Sequence, residues 1–120
     1  HKSQEVKEAH FASFKEAVRC GVRIAMGTDM GVGPHGPNAE ELAFMVEAGM
    51  TPMQVIVAST SNAAKIFGLT QVGTLEAGKW GDLVVLRANP LDNIRNTRTI
   101  DSVWVAGARL ADVKPVTDTK

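Results

Sequence analysis

The sequence predicts an α/β chain in which helices and one barrel-type strand come first and a small antiparallel β region follows. Three observations carry this. An amphipathic stretch, residues 4–20, ends at Gly21 and passes within a single turn into the apolar run Val22-Arg23-Ile24-Ala25-Met26, which is the αβ half of a repeating β/α unit. That run ends at Gly27-Thr28-Asp29, a polar turn just past a strand. From Val72 the helical period is lost, and turn-rich segments alternate with short β-branched runs.

Each element has its own signal. In the first helix Phe11, Phe14 and Val18 fall at i, i+3 and i+7 with Ala17 beside them, while Lys7, Glu8, Lys15, Glu16 and Arg19 lie mostly off that stripe. Gly21 stands where a C′ glycine stands. His10 reads as a surface or boundary histidine on the flank, and Cys20 as a small buried hydrophobe. Residues 22–26 read as a buried strand. Asn38, with Glu41 three residues on, reads as a capping box for a helix to about Ala48 that turns Leu42, Met45 and Val46 inward. Thr51-Pro52-Met53-Gln54 is a second start signal, with Thr as cap, Pro at N1 and Gln at N3. It leads a helix that carries Val55, Ile56 and Ala58 inward. Thr60-Ser61-Asn62 breaks that helix and caps a short third one, closed by Gly68. Met45, Met50 and Met53 read as core filler. Asp82 to Leu86 reads as a buried strand, Asn89-Pro90-Leu91-Asp92 as a turn or loop, and Ile100 to Ala106 as a further strand. Gly107-Ala108, glycine first, suits a two-residue type II′ hairpin turn, with Arg109 to Ala111 as the return strand. The polar end from Lys114 reads as a frayed tail.

The functional candidates cluster after the strand at 22–26. A carboxylate just beyond the C-terminal end of a buried strand, Asp29 here, sits where barrel and doubly wound folds place functional groups. Thr28 and Asp29 read equally as turn residues bonded to local backbone N–H groups. The segment 30–38 holds three glycines and two prolines and is a loop. It lacks the Walker and dinucleotide spacings, which discounts a nucleotide. It presents His35 either to a pocket mouth or as a plain loop histidine.

Composition bounds the function class. Hydrophobic residues are 44% and charged residues 22% of the 120, which fits one globular domain. Lys plus Arg and Asp plus Glu are 13 each, so nothing favours nucleic acid or an anionic membrane as partner. The lone Cys20 excludes an internal disulfide, and no apolar run reaches membrane-spanning length. A cytoplasmic protein is expected. The chain opens at His1-Lys2-Ser3 without a methionine and goes straight into a helix, which reads as a piece of something longer or as a processed chain.

Six motifs in this order resemble the C-terminal part of metal-dependent amidohydrolases, in particular the imidazolonepropionase-like and prolidase-like branch. They are Gly21-Val22 with Gly27-Thr28-Asp29; Pro34-His35-Gly36 with Asn38 and Glu41-Leu42; Met45 with Ala48-Gly49-Met50-Thr51-Pro52; Ala58-Ser59-Thr60 with Asn62-Ala63-Ala64; Gly73-Thr74-Leu75 with Gly81-Asp82-Leu83-Val84-Val85-Leu86; and Asn89-Pro90-Leu91. The match covers nearly the whole chain.

The resemblance implies a (β/α)8 TIM barrel with a small β-sandwich. Residues 1–70 would supply the seventh helix, eighth strand and eighth helical layer; 71–112 would be part of the composite sandwich; 113–120 would be a flexible tail. Asp29 matches the family's metal ligand and proton shuttle, and its chemistry suits that place: a carboxylate touching metal-bound water can take its proton and pass it to a leaving amine. His35 and Asn38 are the implied substrate-binding residues, with His35 off the metal. The implied cofactor is a divalent metal, zinc favoured, in the complete enzyme. These 120 residues are expected to hold none tightly, because a catalytic zinc needs about three protein ligands. The sequence departs from the family in lacking the His-x-His pair of strand one, the lysine of strand four and the histidines of strands five and six; His1, His10 and His35 match none of them.

The expected function is therefore that of a fragment of an amidohydrolase acting on an amide, cyclic amide or dipeptide C–N bond, including Xaa-Pro bonds, and inactive alone. Two alternatives stand beside it: a self-associating fragment without chemistry, and a binding module that kept the pocket loop. The expected partners are a small amide or dipeptide substrate and either further copies of the chain or the rest of a parent.

Overall fold

The computed structural model describes residues 2–28 and 38–111. Asp29, His35 and the tail expected at 113–120 lie outside the described residues. The element order is α1 (Lys2–Arg19), α2 (Ala39–Glu47), α3 (Pro52–Ser59), α4 (Ser61–Ile66), β1 (Leu83–Leu86), a 3-10 helix (Ile94–Arg98), β2 (Ile100–Val105) and β3 (Ala108–Arg109).

The helices stop where their glycines stand. At the end of α1, Gly21 takes φ 69°, its N–H reaches the Val18 carbonyl and the Val22 N–H reaches that of Ala17. This is the Schellman pattern, which needs a left-handed residue at C′ and so favours glycine. The same pair of bonds closes α2 at Gly49 and α4 at Gly68. α3 begins as its sequence predicts: the Thr51 hydroxyl accepts from the Gln54 N–H, and the Gln54 side chain accepts from the Thr51 N–H.

The core is helical. Ala43, Met45, Met50, Val55, Ala58 and Ile94 are buried together, with Val55 fully enclosed. Phe14 and Val18 of α1, Leu42 and Val46 of α2, Ile56 of α3, and Ile24 and Met26 pack around them. Ile94 brings the 3-10 helix into this core, so the β region and the helices share one packed centre.

The sheet is antiparallel in the order β1-β2-β3. Leu83 pairs with Trp104, Val84 with Val103 and Val85 with Ser102; the register then shifts, and Leu86 pairs with Ile100. Buried Ser102 accepts the Trp104 indole N–H at 3.2 Å.

Several expectations need correction. Residues 22–26 form an irregular segment and not a ladder strand; a ladder needs a second strand, and the described residues place none beside it. Cys20 is exposed, because the last turn of α1 points it outward beside Glu16, whose carboxylate accepts the thiol at 3.4 Å. Met53 is about half exposed, on the outer side of α3. The strand from Asp82 is covered on neither face at Val84 and Val85. The hairpin turns one residue earlier than expected: Val105 pairs with Ala108, leaving Ala106 (φ 51°) and Gly107 (φ 77°) as the two-residue loop. Two positive φ values in succession characterise the type I′ turn and not type II′. The Asp82 carboxylate holds that turn by accepting the Ala106 N–H at 2.7 Å. The 3-10 helix after Asn93 was not expected; the Asn93 side chain caps it by accepting the Arg95 N–H.

Candidate functional site

The sequence-predicted site residues Asp29 and His35 fall between residues 22–28 and the first turn of α2, the two described segments that flank them in the chain. The entering segment is pinned twice. The Met26 N–H donates to the Ala58 carbonyl at 3.2 Å, at the C-terminal end of α3. The Asn62 side-chain amide donates to the Ile24 carbonyl at 3.3 Å, from the first turn of α4. A segment without ladder partners thus has its backbone groups taken up by helix ends, where carbonyls and side chains are available.

The leaving side is held by charge. Glu40, in the first turn of α2, places one carboxylate oxygen 2.9 Å from Arg95 Nη1 and the other 2.6 Å from Arg98 Nη1. An acidic residue there also complements the positive end of the helix. In sequence, residues 29–37, with Asp29 and His35 among them, separate the two anchors and are outside the described residues.

Asn38 is described, and it corrects the capping expectation. It takes helical φ and ψ of −53° and −30°, and its side chain makes no cap bond. Glu41 donates its backbone N–H to the Asn38 carbonyl at 3.3 Å instead. An Asn in the αR region cannot aim its side chain at the N2 and N3 amides as an extended N-cap does. Thr60 behaves similarly at α4: its hydroxyl donates back to the Ile56 carbonyl and caps nothing.

A shallow hollow of about 260 Å³ lies beside the entering segment, lined by Val18, Val22, Ile24, Met53, Val57 and Asn62 among others. The described residues that line it are apolar or uncharged. Among the described residues the shifted titrations lie elsewhere on the surface. Arg19 holds the Glu16 carboxyl below the usual carboxylate range, with Cys20 adding to the effect, and is itself pushed up by Glu16. Lys79 does the same to Glu76.

Among the described residues no three His, Cys, Asp or Glu side chains lie together as metal donors. The described residues therefore do not by themselves compose a metal centre, whatever Asp29 contributes.

The amidohydrolase family pattern matches residues 1–110. The chain belongs to the amidohydrolase family. It is 38% identical over 112 residues to the ochratoxinase of Aspergillus niger, covering 88% of this chain and 23% of that protein. It is 32% identical over 105 residues to the imidazolonepropionase of Shouchella clausii, covering 80% of this chain and 23% of that one. Among solved structures it superposes on a Xaa-Pro dipeptidase with methionine in its active site, with a TM-score of 0.81, 36% identity, and coverage of 85% of this chain and 25% of the other. The chain thus spans about a quarter of the length of the curated relatives it matches. The resemblance read from the six motifs, to the imidazolonepropionase-like and prolidase-like amidohydrolases, is borne out.

Reading the sequence alone missed Glu40, Arg95 and Arg98 as a group. They are 55 and 58 residues apart, and no local pattern joins them. Asn62 was noted as part of a helix start, while its bond to Ile24 spans 38 residues.

Proposed function

We propose that this amidohydrolase chain is the C-terminal part of a hydrolase of carbon–nitrogen bonds, acting on small amide, cyclic amide or dipeptide substrates. The observation that carries the reading is the double pinning of residues 22–28 immediately before Asp29, in a chain of this family. A carboxylate following a segment held this firmly has the fixed origin that a catalytic group needs. Asp29 then accepts a proton from the attacking water and returns it to the leaving nitrogen, so that no net proton is lost in the cycle. His35 and Asn38 contact the substrate.

In this reading residues 1–70 complete a TIM barrel and 71–112 a small sandwich, with the rest of the barrel as the partner that covers the bare apolar surface at Val22, Leu75, Trp80 and Val84. A divalent metal, zinc in this reading, is one to which Asp29 contributes a single donor, the others coming from beyond these residues. The reading keeps the cytoplasmic location expected from the sequence.

The test is hydrolysis by the complete enzyme that carries this chain, on a panel of N-acyl amino acids, cyclic amides and Xaa-Pro dipeptides. Asp29→Asn is expected to lower kcat by about 10²–10⁴-fold on whichever substrate is turned over. Full activity in that variant overturns the assignment.

A further inference from the structure

We propose that Glu40 is a positioning residue whose grip by Arg95 and Arg98 sets where Asn38 presents its side-chain amide to the substrate. The inference rests on the substrate role proposed above for Asn38 and adds the machinery that orients it.

Asn38 is exposed, its side chain makes no cap bond to the helix, and it leads directly into α2. With no cap bond to the α2 amides, its direction follows the position of the first turn of that helix. Two residues on, Glu40 spends both carboxylate oxygens, one on each arginine. A carboxylate fastened at both oxygens by two separate guanidinium groups is restrained in rotation as well as in place.

The arginines are themselves firmly based. Ile94, at the start of their 3-10 helix, is buried in the core. Asn93 caps the helix, Thr97 donates to the Ile94 carbonyl at 2.7 Å, and the Asn96 side-chain amide donates to the Asn89 carbonyl at 2.8 Å. The grip thus runs from a rigid turn of the β region to the residue that opens the substrate-facing end of α2. Partly exposed ion pairs contribute little to overall stability, so the consequence of this one is where the helix begins and not whether the protein folds.

In the complete enzyme carrying this chain, Glu40→Gln is expected to raise KM about tenfold and to leave kcat within about twofold and Tm within about 2 °C. Arg95→Lys keeps a charge at one oxygen and is expected to hold KM close to the parent value. The double variant Glu40→Gln with Arg95→Gln is expected to be no worse than Glu40→Gln alone, because the two act as one unit. An unchanged KM in Glu40→Gln overturns the proposal, as does a parallel fall of kcat, Tm and affinity, which marks a purely structural role. Asn38→Ala separates this from the functional reading. If that variant keeps its KM, the substrate role of Asn38 fails. Amide hydrogen exchange at residues 39–42 then still reads the grip: acceleration in Glu40→Gln sustains it, and unchanged exchange overturns it.

Discussion

Asn62 and Ile24 are 38 residues apart and meet through one bond, the Asn62 amide on the Ile24 carbonyl at 3.3 Å. It is the side-chain tie between the first turn of α4 and the segment that delivers Asp29. Replacing Asn62 by Ala leaves a part-buried carbonyl without its donor, at a cost of about 1 kcal/mol. The expected outcome is a modest fall in the urea midpoint and a larger proportional fall in kcat in the complete enzyme, since the carboxylate that follows loses its fixed origin. A variant with reduced stability and unimpaired turnover would detach this bond from the site.

Two glycines separate backbone strain from crowding. Gly21 has φ +69° with open space around an added Cβ, whereas Gly73 has φ +92° and an added Cβ there would lie 2.6 Å from Ala64 Cβ. Gly21→Ala is expected to cost about 1 kcal/mol, from the left-handed backbone alone. Gly73→Ala adds overpacking against α4, for about 3 kcal/mol in total. Denaturant unfolding of the two variants should rank them in that order, and equal midpoints would show that α4 gives way without cost.

The Glu76 carboxyl lies below the usual glutamate value of 4.5 because Lys79 donates to it and its charge acts on it, with Thr74 assisting. A carboxyl depressed in the folded state contributes its stability in full above the unfolded value and loses it as pH falls through the folded one. Wild type and Glu76→Gln should therefore differ most at neutral pH and converge as pH falls through and below 4.5. The group is fully exposed and the difference is small, so paired thermal scans from pH 7 to pH 3 are the measurement. A gap that widens toward acid would reverse the sign of this pair.

In the proposed function His35 is a substrate contact and not a metal donor. His35→Ala in the complete enzyme is expected to lower kcat/KM about tenfold or more with metal content unchanged. Elemental analysis beside steady-state kinetics checks both halves. Metal lost from that variant would make the histidine a ligand.

Local chemistry was legible in the sequence. The Schellman ends at Gly21, Gly49 and Gly68 and the capping box at Thr51 and Gln54 depend on residues within six positions of one another, so their signals are contiguous. The inward faces of α2 and α3 follow from period alone, and Met45, Val55 and Ala58 are buried as read. The six ordered motifs were enough to indicate the amidohydrolase family. What depended on distant partners was not legible. Residues 22–26 have the composition of a strand, yet a ladder is a property of two backbones, and here α3 and α4 take up the backbone groups instead. Asn38 has the identity of an N-cap, but its helical φ and ψ turn its side chain from the amides. Cys20 and Met53 are apolar enough to be buried and are not, because burial depends on what packs over a face. The Glu40 grip belongs wholly to tertiary structure: two arginines more than fifty residues away become its neighbours only once Ile94 has carried their helix into the core.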